Sequence, residues 1–524
     1  MSFKNLCQVL ERANQTTKKN EKVTICENLF DTNDVENNIL TCKLLTYQLE
    51  ESYKINTAIL NVGDAMLIQA THQLTGTKPK KQNVFASLTN YFNGNANENT
   101  TSLQEIRDLF LIISQTSSRE ERANQIIEMW NILNINEIDI FNQLLLGKLR
   151  VGLQVDTIIV ALGNVYNVPK EKSQQMYREC ISFEKIISFM TYFGENNYES
   201  ENFSYVTAGI PFKPQLAKPL KDIEDLKLEL NLYSYEYKFA GERIQVHILL
   251  KENNEISVHF FSRNGKNDFD KYRDLVQSIK DQQDLFRSFA TSSSTAFIFD
   301  GEIIPVSEDG SRILSFRDLA NRKRKRKKTE QYVHEDECHI QIRLFDMIMN
   351  DNDSIIHQTL EERRLQMNPF QIIEGFEITE VLYLNNDDEI MNAMQSAMTA
   401  GCEGLIVKEN VMYKCDSRTA GFFKLKKDYV QGLMFDSLDL IVVGAKYGSG
   451  KRENVWGSFL LATKNPNNEN EYVTICNIGT GFTEEMLENL NNLLTDFTEE
   501  CPSNIVQPRH GIHQPDVYFE TPTI

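Results

Sequence analysis

The octapeptide Glu236-Tyr237-Lys238-Phe239-Ala240-Gly241-Glu242-Arg243 decides how the chain is read. Before it, Tyr233 to Tyr237 alternate aromatic and polar side chains; after it, Arg243 to Leu250 (RIQVHILL) do the same with β-branched residues. The pattern predicts two strands joined at a glycine turn, a hairpin that holds Lys238 in a fixed place. Lysine becomes a nucleophile when cations or a metal lower its pKa, and attack on phosphorus leaves a phosphoramidate. Taken alone, the segment supports an ordinary surface lysine on a hairpin equally well.

Further strand-like runs follow, bounded by Gly, Asn and Asp: SVHFFS (257–262), AFIFDGEIIPV (296–306), HIQIRLFDMI (339–348), GLIVKE (404–409) and FFKLKK (422–427). Amphipathic helices are predicted between them at 269–286 and 388–398. This block is an α+β domain on antiparallel sheet. Toward the N-terminus the texture is helical, poor in Gly and Pro, with apolar residues spaced by three and four, as in Ile126, Ile127, Trp130, Ile132 and Leu133, or Leu145, Leu149, Val155, Ile158 and Leu162. Polar loops are predicted at 93–101 and 194–202, and Ala208-Gly209-Ile210-Pro211 marks a boundary near 205. Beyond Asp436, the runs DLIVVGAKYG, SFLLATK and EYVTICNIGTG predict a small β-barrel or sandwich.

The composition sets limits. The chain has 524 residues, 41% hydrophobic and 25% charged, which describes an ordinary globular protein of roughly three to four domains. The net charge of -19 argues against nucleic acid coating the whole surface. A local cationic groove remains open to it, since charges beyond a Debye length of roughly 8 Å are screened. The 9 cysteines are scattered with no C-x-x-C, which excludes a zinc ribbon and argues against a disulfide scaffold. There is no H-E-x-x-H. No stretch reaches the roughly 18 apolar residues of a membrane span, and the N-terminus lacks a signal-peptide core, so an intracellular location is expected.

The octapeptide resembles the K-x-D-G-x-R signature of covalent nucleotidyltransferases. The rest of the series follows in order: Ser262-Arg263, Asp300-Gly301-Glu302, Phe345-Asp346, Glu403 to Lys408 (EGLIVK), and Lys424 to Tyr429 (KLKKDY). Each is weak alone; together they are similar to the motifs of ATP-dependent DNA ligases. The flanks agree, with Leu146 to Leu153 (LGKLRVGL) similar to the family's DNA-binding domain, Gly209 to Pro214 (GIPFKP) to the start of its adenylation domain and Asp436 to Leu440 (DSLDL) to that of its OB domain.

The resemblance implies a multidomain fold: an all-α DNA-binding domain at 1–205, an α+β adenylation domain at 206–435 and an all-β OB-fold domain at 436–524. It implies ATP and Mg2+ as cofactors and nicked double-stranded DNA as partner, bound by a monomer whose domains close around the duplex, in replication, repair and recombination beside other proteins of those processes. Lys238 would attack the α-phosphorus of ATP. Glu302 and Glu403 would supply the hard oxygen ligands that magnesium prefers. Arg243, Arg263, Lys408 and Lys424 would bind the triphosphate, ribose or adenylate. Phe345 would stack on adenine, and Glu236 would accept from its amino group and so select ATP over GTP. RNA capping and RNA ligation share the lysine chemistry, but the helical N-terminal block argues against them.

Two departures bear on the first chemical step. Position 240 is alanine where the family has aspartate, and the sequence ends at Tyr518 to Ile524, before the family's final basic motif. Both imply weakened self-adenylation and leave a second reading, a nick-binding relative impaired in that step. Phe422 stands where the family usually has tryptophan. The basic run Arg322 to Lys328 reads equally as a DNA contact or a solvated loop, with a nuclear-import signal also open. The compact outline is similar to the ligases of large DNA viruses.

Overall fold

The computed structural model describes residues 1–48, 60, 62–92, 101–196, 203–220, 233–253, 255–321, 338–418, 421–426, 439–448, 455–506 and 514–523. The basic run 322–328, most of the two polar loops, and the segments 427–429 and 436–438 lie outside them. The chain divides into two compact units, Met1–Val430 and Gln431–Ile524.

The first part of the larger unit is helical, from Phe3–Asn14 to Phe183–Asn196. Local signals start these helices: Ser102 and Glu105 form a capping box, as do Asn134 and Glu137. One apolar core runs through them and includes Ile126, Trp130, Leu133, Leu145, Ile158 and Leu162. The indole of Trp130 donates to Asn142 Oδ1 (2.9 Å), so its one polar atom is satisfied inside the core. The spacing read across 145–162 belongs to two helices, Ile135–Leu145 and Val155–Val165. Between them Gly147 and Gly152 adopt φ of 64° and 62°, which break the helix. At the other end, Gly194, expected in a loop, is still helical.

The remainder of this unit contains two sheets. One has the order β1-β10-β9-β2 and comprises β1 (Lys218–Pro219), β2 (Tyr233–Lys238), β9 (Gly404–Glu409) and β10 (Phe422–Lys426). The other runs β4-β3-β5-β6-β7: β3 (Glu242–Leu250), β4 (Ile256–Ser262), β5 (Thr295–Val306), β6 (His339–Asn350) and β7 (Asp353–Ser354), with β8 (Phe376–Ile378) also on β6. Pairing is antiparallel except at β1·β10 and β6·β8. The predicted strands are all present, but the predicted hairpin is not. β2 pairs with β9, whereas β3 pairs with β4 and β5. Residues Phe239 to Gly241 therefore step from one sheet to the other, and Lys238 ends a strand at that crossing. Glycine is required there because a Cβ on Gly241 would lie 2.2 Å from Ile303 O.

The smaller unit is β-rich: β11 (Ile441–Tyr447), β12 (Trp456–Asn465), β13 (Asn468–Ile478), β14 (Phe497–Thr498), β15 (Ile505–Val506) and β16 (Val517–Thr523), ordered β14-β16-β11-β12-β13-β15. It also carries a helix, Glu484–Leu493, capped by Thr483, which the strand-based reading did not include. Among the described residues no helix is long and apolar enough to cross a membrane.

Candidate active site

The crossing brings charged groups from several strands together. Glu403 immediately precedes β9, and its amide donates to Lys238 O (2.7 Å). Its carboxylate Oε2 lies 3.0 Å from Lys238 Nζ and 2.6 Å from Lys426 Nζ. Burial works against the Glu403 charge, but the two ammonium groups outweigh it and hold the carboxyl below its usual range. Gly404, next in sequence, has φ of +142°, and a Cβ there would meet Leu425 O at 2.2 Å, so β9 and β10 close tightly beside the lysine only because this residue is glycine.

Glu302 approaches from β5. Its Oε1 accepts from Gly241 N (2.9 Å), tying the sheet-to-sheet link to the second sheet. Burial pushes its carboxyl above the usual value, opposed by Lys238, the Gly241 N–H and Arg243. Among the described residues no cluster of three or more His, Cys, Asp or Glu could hold a metal alone. Two carboxylates beside one lysine instead suit an ion such as magnesium, which keeps several waters and takes further oxygens from phosphate.

Glu236, buried on β2, is the second focus. Its Oε1 accepts from Lys408 Nζ (2.8 Å) and Arg364 Nη1 (2.9 Å), and its Oε2 from Thr379 Oγ1 (2.9 Å). Lys408 Nζ also stands 4.8 Å from the centre of the Phe345 ring and 5.4 Å from that of Phe422. Burial lowers the Lys408 pKa against the support of Glu236. Arg243 also lies over the Phe345 ring, with its guanidinium carbon 5.3 Å from the centroid.

The nitrogens of Arg243 are already engaged. Nε and Nη2 fork onto Asp300 (3.0 and 2.6 Å) and Nη1 donates to Gln215 O (2.7 Å). Asp300 faces Asp346 across the β5·β6 pairing, and both are fully buried. Like charges opposed on neighbouring strands repel. Each is neutralised by its own arginine, since Arg363 forks onto Asp346 at 2.7 and 2.8 Å. Tyr413 joins the two pairs: its hydroxyl donates to Asp300 Oδ2 (2.7 Å), and Arg363 packs over its ring.

Of the residues selected from sequence, Lys238, Glu302 and Glu403 surround one point, while Glu236, Phe345, Lys408 and Arg243 surround a second. Lys424 on β10 has its pKa lowered by burial and then by Lys426, Lys238, Arg263 and Arg418. Arg263, just past β4, lines a cavity of about 350 Å3 with Lys213, Asp416 and Arg418, and burial, then the nearby charges of Arg243 and Arg418, lower its pKa. Asp300, Asp346, Arg363, Arg364, Thr379 and Tyr413 were not selected. The aspartates sit inside the quoted motifs, and Glu362-Arg363-Arg364 was a visible charge run, but nothing in sequence tells which arginine faces inward.

Residues 2–163, 214–426 and 452–524 match, in order, the families described as DNA ligase N terminus, ATP dependent DNA ligase domain, and ATP dependent DNA ligase C terminal region. DNA ligase 1 of Saccharomyces cerevisiae is 31% identical over 72% of this chain and 51% of its own, and that of Schizosaccharomyces pombe 33% identical over 71% and 50%. The chain thus spans about half the length of these two relatives. The DNA ligase of Thermoplasma volcanium is 26% identical over 99% of this chain and 87% of its own. A solved structure titled Pmar-Lig_PreS3 shares the fold, with a TM-score of 0.54 at 16% identity, covering 93% of this chain and 90% of that one. With all three parts matched in order, the chain belongs to the ATP-dependent DNA ligase family.

Proposed function

We propose that the chain seals 5′-phosphate/3′-hydroxyl nicks in duplex DNA through a lysyl-AMP intermediate. The observation that carries this is the Lys238 amine, 3.0 Å from the Glu403 carboxylate at the sheet crossing, where Glu302 is also anchored. Lys238 Nζ attacks the α-phosphorus of ATP, an N–P bond forms and pyrophosphate leaves. AMP then passes to the 5′-phosphate of the nick, and the 3′-hydroxyl displaces it. Such transfer rests on positioning and charge neutralisation more than on covalent help from the protein.

In this reading Phe345 stacks on adenine and Glu236 accepts from its amino group. Lys408 leaves Glu236 when nucleotide enters and, with Arg263 and Lys424, carries phosphate or ribose contacts, while Arg243, held by Asp300 and Gln215 O, backs the Phe345 ring. Glu302 and Glu403 hold Mg2+, which neutralises phosphate charge when bound. The helical part, 1–205, grips the duplex, 206–435 performs the chemistry, and 436–524 is an OB fold.

The test uses α-labelled ATP with magnesium, and separately nicked and pre-adenylated nicked DNA. Label on the chain and sealing of both substrates are expected. Sealing of the pre-adenylated nick alone assigns the loss to the first step and fits alanine at position 240. Binding of nicked DNA without sealing either substrate replaces the proposal with a nick-binding role.

A further inference from the structure

Two residues with no place in that scheme hold the purine-recognising carboxylate. Arg364 projects from the short helix Leu360–Leu365, whose start is fixed by a Thr359/Glu362 capping box. Thr379 directly follows β8 and is fastened to β6 by its amide, which donates to Leu344 O (2.8 Å). One guanidinium links three walls of the Glu236 pocket: Arg364 Nη1 donates to Glu236 Oε1 (2.9 Å) and Phe345 O (3.0 Å), and Nη2 donates to Thr379 O. The Thr379 hydroxyl donates to Glu236 Oε2 (2.9 Å). Glu236 is 2% exposed and Thr379 4%.

We propose that Arg364 and Thr379 are positioning residues that set base selectivity by locking Glu236 as an acceptor that can neither turn nor be replaced by water. This rests on the adenylation reading above. A carboxylate offers about four lone-pair directions. Arg364 holds one on Oε1 and Thr379 one on Oε2, and both bonds persist when Lys408 gives up its place on Oε1. The open direction on Oε2 accepts from an amino group at purine C6. An oxo group at C6 presents its own lone pair to that oxygen and is repelled. A carboxyl free to rotate or bind water would tolerate either base.

The surroundings explain why the lock is needed. Behind the pair lies a cleft of about 430 Å3 lined by Ser234, Arg364, Thr379, Val381 and Tyr383. Arg364 and Thr379 form the wall between that cleft and Glu236. Truncating either would expose to that cleft a carboxylate that is otherwise 2% exposed.

The experiment compares the full chain with its Thr379→Val, Thr379→Ser and Arg364→Lys variants. Equilibrium dissociation constants for ATP and GTP are read alongside the rates at which each labels Lys238. The ATP-over-GTP ratio is expected to fall by about tenfold or more in Thr379→Val and Arg364→Lys, and to stay within about threefold in Thr379→Ser. The proposal is overturned if affinity for both nucleotides falls together with the ratio unchanged, or if serine fails to restore it. A chain that binds ATP selectively without labelling refutes the adenylation reading, while the binding ratio still judges the lock; a chain that binds neither nucleotide refutes both.

Discussion

Replacing Arg363 with methionine tests the buried charge network behind the site. The guanidinium is fully buried, forks onto Asp346 at 2.7 and 2.8 Å, and donates to Gln358 O (2.7 Å) and Val411 O (3.1 Å). Without it the Asp346 carboxylate, also fully buried, keeps a hydrogen bond from Met347 N (2.9 Å) but loses its paired cation, and Asp300 lies opposite on β5. Removing one partner of such a pair costs about 3–5 kcal/mol, a large part of a typical stability of about 5–15 kcal/mol. The double variant Arg363→Met/Asp346→Leu deletes both charges and is expected to recover about 2 kcal/mol or more relative to the sum of the single variants. The chain has 2 tryptophans, Trp130 in the helical core and Trp456 in the smaller unit, so fluorescence would not report on these strands. Native-state hydrogen exchange on peptides from Thr295–Val306 and His339–Asn350 does. Exchange through local opening is expected to accelerate by about 10²- to 10³-fold or more in Arg363→Met. Acceleration below about fivefold, or strictly additive effects, would show that Arg363 does not neutralise a buried Asp346 charge.

Other outcomes follow from the same structure. Gly241→Ala places a methyl 2.2 Å from Ile303 O and 2.9 Å from Glu302 Cγ. It is expected to cost about 1–3 kcal/mol and to reduce labelling of Lys238 by more than its loss of folded protein, because Glu302 must move; equal losses would show a purely structural effect. Glu179 is a buried carboxyl whose pKa is raised from 4.5 chiefly by burial. In the window from 4.5 up to that raised value the folded chain holds the extra proton, so its stability falls as pH rises and the deficit is complete above the window. The Glu179→Gln variant should flatten this slope in urea titrations across pH; an unchanged slope would place its origin elsewhere. Affinity for nicked duplex, if the chain makes about six phosphate contacts, should drop on the order of 10³-fold between about 50 and 200 mM salt. A flat salt response would argue against backbone gripping.

The sheet strands were legible as short β-branched and aromatic runs bounded by turn residues, and every run from RIQVHILL to FFKLKK became one, although β3 and β5 are buried almost throughout rather than on one face. Partnership was not. Two alternating runs separated by a glycine read as a hairpin, but Gly241 serves a different purpose, letting the link pass against Ile303 O on the way to another sheet. The motif residues were likewise legible as a series, and Lys238, Glu302 and Glu403 do meet. What lay hidden was the layer beneath them. Asp300 and Asp346 gain their meaning from pairing across β5·β6, and Arg363 and Arg364 point in their separate directions only once a six-residue helix is docked. Helical periodicity carried the N-terminal part, yet it ran through the loop at Gly147 to Gly152, because apolar loop residues such as Leu149 also pack on the core.

In the proposed reaction one amine, on Lys238, becomes covalently joined to AMP. Peptide mapping by mass spectrometry after incubation with ATP and magnesium reads it directly. A single AMP adduct is expected on the peptide containing Lys238, lost in Lys238→Ala and reversed by pyrophosphate. An adduct on a different lysine, or nick sealing by the Lys238→Ala chain, would contradict it.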